Sequence, residues 1–308
     1  MIMIYDVIII GNGPAGLAAA IYGKRAGLST LLLSDSPMAG GQITSTYEVD
    51  NYPGLPKISG FDLGDKMKEH ADALGAEYAT GRVSEIVDNG DTKTLKTVDD
   101  GDFEAKAVVI ATGADHRKLM IPGEQELTGM GVSYCATCDG AFFRNKRVAV
   151  VGGGDVALED AIFLSRFAEK VYLIHRRDEF RGAKVLQEQV KAIDKIEIVY
   201  DTVVDEVVGK DSVEKILTTN KKTGEKSEIE LNGVFMAVGI VPNVANIKGL
   251  PEQDKGGYLV AGEDCVTSIP GIYAAGDVRT KQLRQVITAA SDGANAITSI
   301  EKYLNGQV

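Results

Sequence analysis

The chain has 308 residues, 44% of them hydrophobic and 25% charged, enough for about two globular domains. Its net charge of −11, from 44 acidic against 33 basic side chains, argues against a nucleic-acid partner, whose phosphates call for a basic face. No run approaches the roughly 18 apolar residues of a membrane span, 35 glycines without a Gly-X-Y period exclude collagen, and three cysteines cannot frame a disulfide scaffold. Met1–Ile10 is apolar, lacks a basic start and carries Asp6. It reads as a strand and not as an export signal, so the cytoplasm is the expected compartment.

In chain order, the buried-type strand Tyr5–Ile10 runs into Gly11-Asn-Gly-Pro-Ala-Gly16. A helix is predicted over about Pro14–Arg25, ended by Gly27, and Thr30–Leu33 is the next strand. A polar, strand-rich stretch follows, with turn signals at Asn89-Gly90 and Asp100-Gly101, and closes on the apolar strand Ala107–Gly113. The pattern then repeats. Arg147–Val151 is a strand, Gly152-Gly-Gly-Asp-Val-Ala157 a glycine loop, Val156–Phe167 about a helix and Val171–Ile174 a strand. A turn at Thr223-Gly224 leads to the closing strand Gly233–Gly239. This imperfect duplication predicts an α/β fold with two Rossmann-like nucleotide-binding units, at about 1–113 and 117–241. Residues 245–308 hold the strand Ile272–Ala275, then Gly276-Asp277, then a helix over about 283–305. They are too few to sustain a core alone and must pack on one of the units.

Gly11-x-Gly13-x-x-Gly16 lies between a strand and a helix, where a dinucleotide fingerprint belongs. Gly11 serves the tight turn, Gly13 the approach of a pyrophosphate and Gly16 close helix–strand packing, with Pro14 and Ala15 completing the loop. An acidic ribose ligand is expected near the end of the next strand, where the chain has Ser34 followed by Asp35. Gly152-x-Gly154-x-x-Ala157, with Asp155 inside it, is a second fingerprint in its alanine form. The strand after it ends in His175-Arg176-Arg177, with Arg181 four residues on. An acid there would bind a ribose 2′-hydroxyl, whereas arginines accommodate a 2′-phosphate, so NADPH is favoured over NADH. His175 reads as packing beside the adenosine.

Cys135-Ala-Thr-Cys138-Asp139-Gly140 carries the redox signal. A metal site needs about four ligands, and His70, His116 and Cys265 show no ligand spacing, so no metal is expected. Two residues between cysteines suit an exchangeable dithiol/disulfide pair. A carboxylate beside a thiolate raises the thiol pKa, so Asp139 fits a proton shuttle for a leaving thiolate and not a thiol activator. Cys265 lies in a polar, turn-like stretch and reads as a bystander.

Over essentially its whole length the chain closely resembles the bacterial-type low-molecular-weight thioredoxin reductases. The residues that carry the resemblance are Gly11-Asn-Gly-Pro-Ala-Gly16, Gly40-Gly-Gln42, Asn51-Tyr-Pro-Gly54, Ala111-Thr-Gly113 and Cys135-Ala-Thr-Cys-Asp-Gly140. They continue in Gly152-Gly-Gly-Asp155, His175-Arg-Arg177, Arg181, Ala275-Gly-Asp277 and Arg284-Gln285. The resemblance implies FAD on the first unit, held by the first glycine loop, Gly41, Gln42, Asn51, Thr112, Gly113, Gly276 and Asp277, with Arg284 and Gln285 near the flavin. Residues 245–308 would then return to 1–113 to form a discontinuous FAD-binding domain. The second unit, 117–241, would be inserted into it as the NADPH-binding domain, with Gly152, Gly154, Asp155, His175, Arg176, Arg177 and Arg181 as contacts. Thioredoxin as substrate and a homodimer are implied too. Val156 and Leu283 depart from the family, which more often has a serine and an aromatic at these places.

The resemblance assigns Cys138 to the flavin side and Cys135 to attack on the substrate disulfide. Two other readings stay open: a flavin reductase serving a glutaredoxin-like carrier or a ferredoxin-type donor, and a non-enzymatic flavin redox sensor. Because the cysteine pair and the NADPH loop share one unit while the flavin belongs to the other, the second unit is expected to swing about crossings near Ala114–Arg117 and Ile240–Ala245.

Overall fold

A computed structural model of the chain describes residues 3–46, 48–98 and 101–307. The first two residues of the N-terminal stretch and Asp100 of the Asp100-Gly101 turn lie outside the described residues. The elements are β1 (Ile4–Ile10), α1 (Pro14–Arg25), β2 (Thr30–Ser34), α2 (Gly60–Ala73), β3 (Glu77–Thr80), β4 (Val83–Asp88), β5 (Lys93–Thr97), β6 (Asp102–Ile110), β7 (Ala114–His116) and β8 (Val132–Ser133). They continue with α3 (Ala136–Asp139), β9 (Arg147–Gly152), α4 (Asp155–Ser165), β10 (Lys170–Ile174), α5 (Lys184–Ala192), β11 (Ile196–Val199), β12 (Thr202–Gly209), β13 (Val213–Asn220) and β14 (Lys226–Glu230). The last are β15 (Gly233–Ala237), β16 (Ile240–Pro242), β17 (Ile272–Ala274) and α6 (Val286–Leu304). No helix among the described residues is long and apolar enough to cross a membrane.

The chain divides into two compact units, one of Met1–Asp115 with Val241–Val308, the other of His116–Ile240. The first is built on a seven-stranded sheet of order β3-β2-β1-β6-β5-β4, with β17 also paired to β6. β3, β2, β1, β6 and β17 run parallel, while β4 and β5 form an antiparallel meander on the first half of β6. Alternate residues of the central strands face two separate cores. Val7, Ile9, Ala107 and Val109 meet α1 and α6, whereas Ile8, Ile10, Val108 and Ile110 meet Val83, Ile86, Leu95 and Leu259. Burial on both faces explains why these strands read as unbroken apolar runs.

The small residues of α1 let α6 come close. A Cβ on Gly293 would lie 2.2 Å from the Ala15 carbonyl oxygen. The strand ahead of Ala111-Thr-Gly113 begins earlier than the sequence pattern suggests and stops at Ile110, because Gly113 turns the chain with φ +71°. α6 starts at Val286 and not near 283, since Gln285 and Thr288 exchange side-chain and backbone hydrogen bonds in a capping box.

The second unit has a five-stranded parallel sheet, β11-β10-β9-β15-β8, and a separate antiparallel sheet, β12-β13-β14. Val148 and Val150 pack toward Ala157, Leu158 and Leu164 of α4, while Ala149 and Val151 pack toward Val204, Val207 and Ile216 of the antiparallel sheet. β7 and β16 straddle the two chain crossings and pair as a two-stranded ribbon.

A buried ionic cluster pins the segment that follows β17. Asp292 on α6 is 3% exposed and accepts from Arg279 at 2.8 and 2.7 Å, from Lys281 at 2.8 Å and from the Gly276 amide at 2.8 Å. Cys265 is fully buried beside it, with its Sγ 3.3 Å from the Asp292 carbonyl oxygen. Burial pushes this thiol up to about 12, so it is an inert bystander: Cys265 closes a turn with Gly262, as the turn-like stretch suggested, but its side chain packs into the core. Burial works against charge on Asp292, but Arg279 and Lys281 hold its carboxyl below the ordinary range. Its pairing therefore stabilises the fold above the unfolded-state carboxyl pKa and is lost as pH falls through the lower folded value. Asp292→Ala, which strands two buried cations, is expected to cost about 3–5 kcal/mol in denaturant unfolding at neutral pH. The deficit against the native chain should shrink on acidification.

Candidate active site

In the first unit the carboxyl ends of β1, β2, β6 and β17 lie on one edge of the sheet, where open parallel sheets bind ligands. Gly11 has φ +107°, and a Cβ there would lie 2.4 Å from the Ala111 carbonyl oxygen. A Cβ on Gly16 would lie 1.9 Å from the Gly11 carbonyl oxygen. Gly13 is open, with nothing nearer than 4.0 Å, and caps α1 without a side-chain hydrogen bond. No side chain caps the first-turn amides of α1, so beside Pro14 and Ala15 they could receive an anion.

Among the described residues, two buried side-chain oxygens on this edge have no hydrogen-bond partner: Thr112 Oγ1 after β6 and Asp277 Oδ1 after β17. Burial raises the Asp277 carboxyl pKa, against the opposing pull of Lys281 and Arg284. Unmatched buried oxygens are costly and call for a hydroxyl- or amide-bearing ligand. Together with the open helix end they fit the phosphates and polyol of a dinucleotide.

The neighbouring predicted residues are placed less uniformly. Arg284 lies 4.2 Å over the Tyr258 ring and reaches the Asp277 and Arg279 carbonyls at 3.4 Å each. The Asn51 amide donates to Gln285 Oε1 at 2.9 Å, joining motifs that lie far apart in the chain. The exposed Gln42 donates to Ala114 and Asp115, and Gly41 beside it is exposed too. Ser34 accepts from the Ser36 amide at 3.2 Å, and Asp35 is exposed. Asn12, to which the motif assigns no role, clasps this loop by donating to the Ser36 and Met38 carbonyls at 2.9 and 3.0 Å.

The second unit repeats the loop geometry at β9 and α4. A Cβ on Gly152 would lie 2.4 Å from the Ala237 carbonyl oxygen and 2.7 Å from the Ala157 Cβ, while Gly154 is open and caps α4 without a side-chain bond. Asp155 accepts from the Ala183 amide at 2.6 Å, tying the segment after Arg181 to the loop. Arg176, Arg177 and Arg181 are exposed at the end of β10 and just beyond it. His175 is different. It is buried, its ring would meet a Cβ on Gly153 at 2.2 Å, and it contacts the Phe180 ring and the Glu179 carbonyl. It supports the loop from inside, and burial lowers its pKa, keeping it neutral.

Cys135 and Cys138 are joined in a disulfide with their Cα atoms 5.3 Å apart, within the usual span. The pair follows β8, whose place beside β15 puts it at the carboxyl end of the parallel sheet. Gly140 lets the turn seat on α4, since a Cβ there would meet Leu164 and Phe167. Asp139 turns back to Ser133, whose Oγ donates to Oδ2 at 2.6 Å and accepts the Cys135 amide at 3.1 Å. Burial raises the Asp139 carboxyl pKa and Ser133 opposes it, so the acid keeps its proton to higher pH than an exposed aspartate. Ser133 escaped the sequence reading because no spacing rule flags a hydroxyl two residues ahead of such a pair.

The family profile described as pyridine nucleotide-disulphide oxidoreductase matches residues 5–293. A thioredoxin reductase from Listeria monocytogenes serovar 1/2a is 47% identical over 304 residues, covering 98% of this chain and 94% of the relative. Among solved structures, thioredoxin reductase from Streptococcus pyogenes MGAS5005 is 45% identical, with a TM-score of 0.93 over 98% of this chain and 99% of its own. Lactococcus lactis thioredoxin reductase, in a structure described as the FR conformation, is 44% identical over the same shares, with a TM-score of 0.66.

Proposed function

The chain belongs to the pyridine nucleotide-disulphide oxidoreductase family, and from that premise we propose that it is a thioredoxin-disulfide reductase, passing electrons from NADPH through FAD and the Cys135–Cys138 pair to oxidised thioredoxin. One observation carries the reading: a disulfide flanked by a half-buried acid shares a unit with an arginine-flanked dinucleotide loop, in a chain with a second glycine loop of the same geometry. In this reading FAD would lie on the first unit, held by Gly11–Gly16, Thr112, Gly113, Gly276, Asp277 and Arg284. NADPH would lie on the second, where Arg176, Arg177 and Arg181 would receive its 2′-phosphate. The protein works as a homodimer in the cytoplasm, where a reducing milieu lets a dithiol turn over.

Bound FAD supplies the two-electron link between the nicotinamide hydride and the disulfide. The chain's own residues do the rest. The α1 and α4 amides bind phosphate, and the arginines select the phosphorylated nicotinamide. When two electrons enter the Cys135–Cys138 bond, it breaks, and Asp139 gives its proton to the sulfur that leaves as thiolate. Cys135 then attacks a sulfur of the thioredoxin disulfide to form a mixed disulfide. Cys138 displaces it, re-forming the pair and releasing the dithiol.

Since one flavin must serve both nicotinamide and disulfide, the second unit alternates between two poses. Only two short crossings would absorb the change. Two solved relatives of nearly equal sequence identity, 45% and 44%, superpose on this chain to unequal extents, which supports the same reading.

With NADPH and oxidised thioredoxin, Cys138→Ser is expected to leave flavin reduction intact and to abolish thioredoxin reduction. Cys135→Ser should abolish it too, and turnover by either variant would refute the dithiol route. Arg177→Glu should lower kcat/KM for NADPH by about tenfold or more while sparing NADH, as loss of a charge-assisted phosphate bond requires. A native preference for NADH would contradict the assignment. An engineered crosslink between the units should block one half-reaction in rapid kinetics and leave the other nearly native; full turnover when fully crosslinked would exclude the alternating poses.

A further inference from the structure

We propose that Ser133 is a positioning residue for the proton step: its hydroxyl holds the Asp139 carboxyl at the Cys135 end of the disulfide turn, so that the proton passes to Cys135 and not to Cys138. The proposal rests on the reading of Asp139 as the acid.

Three contacts carry it. The Asp139 amide donates to the Cys135 carbonyl at 3.1 Å, which puts the two residues one helical turn apart, on one face. The two sulfurs are bonded to each other, but it is the Cys135 backbone, by its carbonyl and its amide, that is tied to Asp139 and Ser133. The Ser133 Oγ then bridges both, accepting the Cys135 amide at 3.1 Å and standing 2.6 Å from Asp139 Oδ2. A hydroxyl has one hydrogen to give. The competing acceptor, the Cys135 carbonyl, is 3.3 Å away, so that hydrogen goes to Oδ2. Protonated Asp139 must therefore carry its own hydrogen on Oδ1. Ser133 is buried at the end of β8, which pairs with β15, so the bridge stands on the sheet and not on a mobile loop.

The step balances. Asp139 COOH and Cys135 S⁻ become Asp139 COO⁻ and Cys135 SH, and the reverse transfer frees the thiolate for attack. A hydrogen bond to a carboxylate is stronger than one to the neutral acid, so Ser133 also stabilises the form left behind. The elements packed most closely against α3 are α4 and the 3-10 turn Gly140–Phe143. They bring Asp155, Glu159 and Asp160 on α4 and Arg144 after the turn. Burial raises the Asp139 carboxyl pKa and the Ser133 hydroxyl lowers it. Asp160, pushed up to about 7 by burial and Glu159, also titrates as a raised carboxyl and must be cancelled in the test.

The test is a double-mutant cycle on the FAD-loaded enzyme, reading kcat for thioredoxin reduction against pH. Ser133→Ala is expected to lower kcat with little change in KM and to move the high-pH limb upward by about one to two pH units, the loss of a charge-assisted bond to the carboxylate. Ser133→Thr, which keeps the hydroxyl, should restore both. In an Asp139→Asn background, where Asp160 is unaltered, Ser133→Ala should change nothing further. If Asp139→Asn abolishes the limb while Ser133→Ala leaves it in place, the positioning role is overturned and the acid assignment survives. If Asp139→Asn keeps the native limb, both are overturned. The native chain provides a second measurement that does not depend on a variant at position 133 folding. The infrared C=O band of protonated Asp139, identified by its loss in Asp139→Asn, should fall at the lower wavenumber of a hydrogen-bonded carbonyl, and a free-carbonyl frequency would overturn the proposal.

Discussion

Parallel pairing is the constraint from which the rest of this molecule follows. A strand bonded in parallel to neighbours on both sides leaves every carboxyl end on one edge, and the return connections cover both faces with apolar layers. In the first unit β1 is bonded to β2 and β6, and in the second β9 is bonded to β10 and β15. Polar backbone and polar side chains that cannot be buried in those layers collect at the carboxyl edge. Both glycine loops lie there, and so do Thr112 and Asp277, whose oxygens are buried without partners.

The internal duplication goes further than the glycine loops, but in permuted order. Each unit has a fifth parallel strand beyond the one that closes its Rossmann-like half. In the first unit it is β17, which arrives last in the chain and leads into Gly276-Asp277. In the second it is β8, which arrives first and leads into Cys135. The same position in the two sheets therefore presents a buried carboxyl in one unit and the disulfide in the other. A two-residue strand carries too little periodic pattern to be seen in sequence, and its partner in the sheet is about 100 residues away.

Buried polar groups hold both of these ends in place. Asp292 fixes the Gly276–Lys281 segment through one backbone amide and two cations, and Ser133 fixes the disulfide turn through one amide and one carboxyl. Neither is a glycine, a cysteine or a member of a motif. In each case a polar side chain with no solvent route must satisfy whatever donors and acceptors tertiary packing brings to it. Function then depends on residues whose importance is set by the partners they meet.

The sequence by itself determined the family, the α/β class, both glycine loops and the redox pair. Each answers to a demand met within a few residues: a positive φ at Gly11, a helix seated on a strand at Gly16, a closable span between Cys135 and Cys138. Local demands leave local patterns, and periodic apolar runs mark strands buried on both faces. Only the tertiary structure decided that Cys265 is a core residue, that His175 supports Gly153 from inside, that Asn51 meets Gln285, and that Asp292 and Ser133 anchor the two carboxyl-edge turns. These depend on contacts between residues distant in the chain or on burial. Neither leaves a periodicity or a spacing, because their free energy comes from desolvation and from partners that the fold alone supplies.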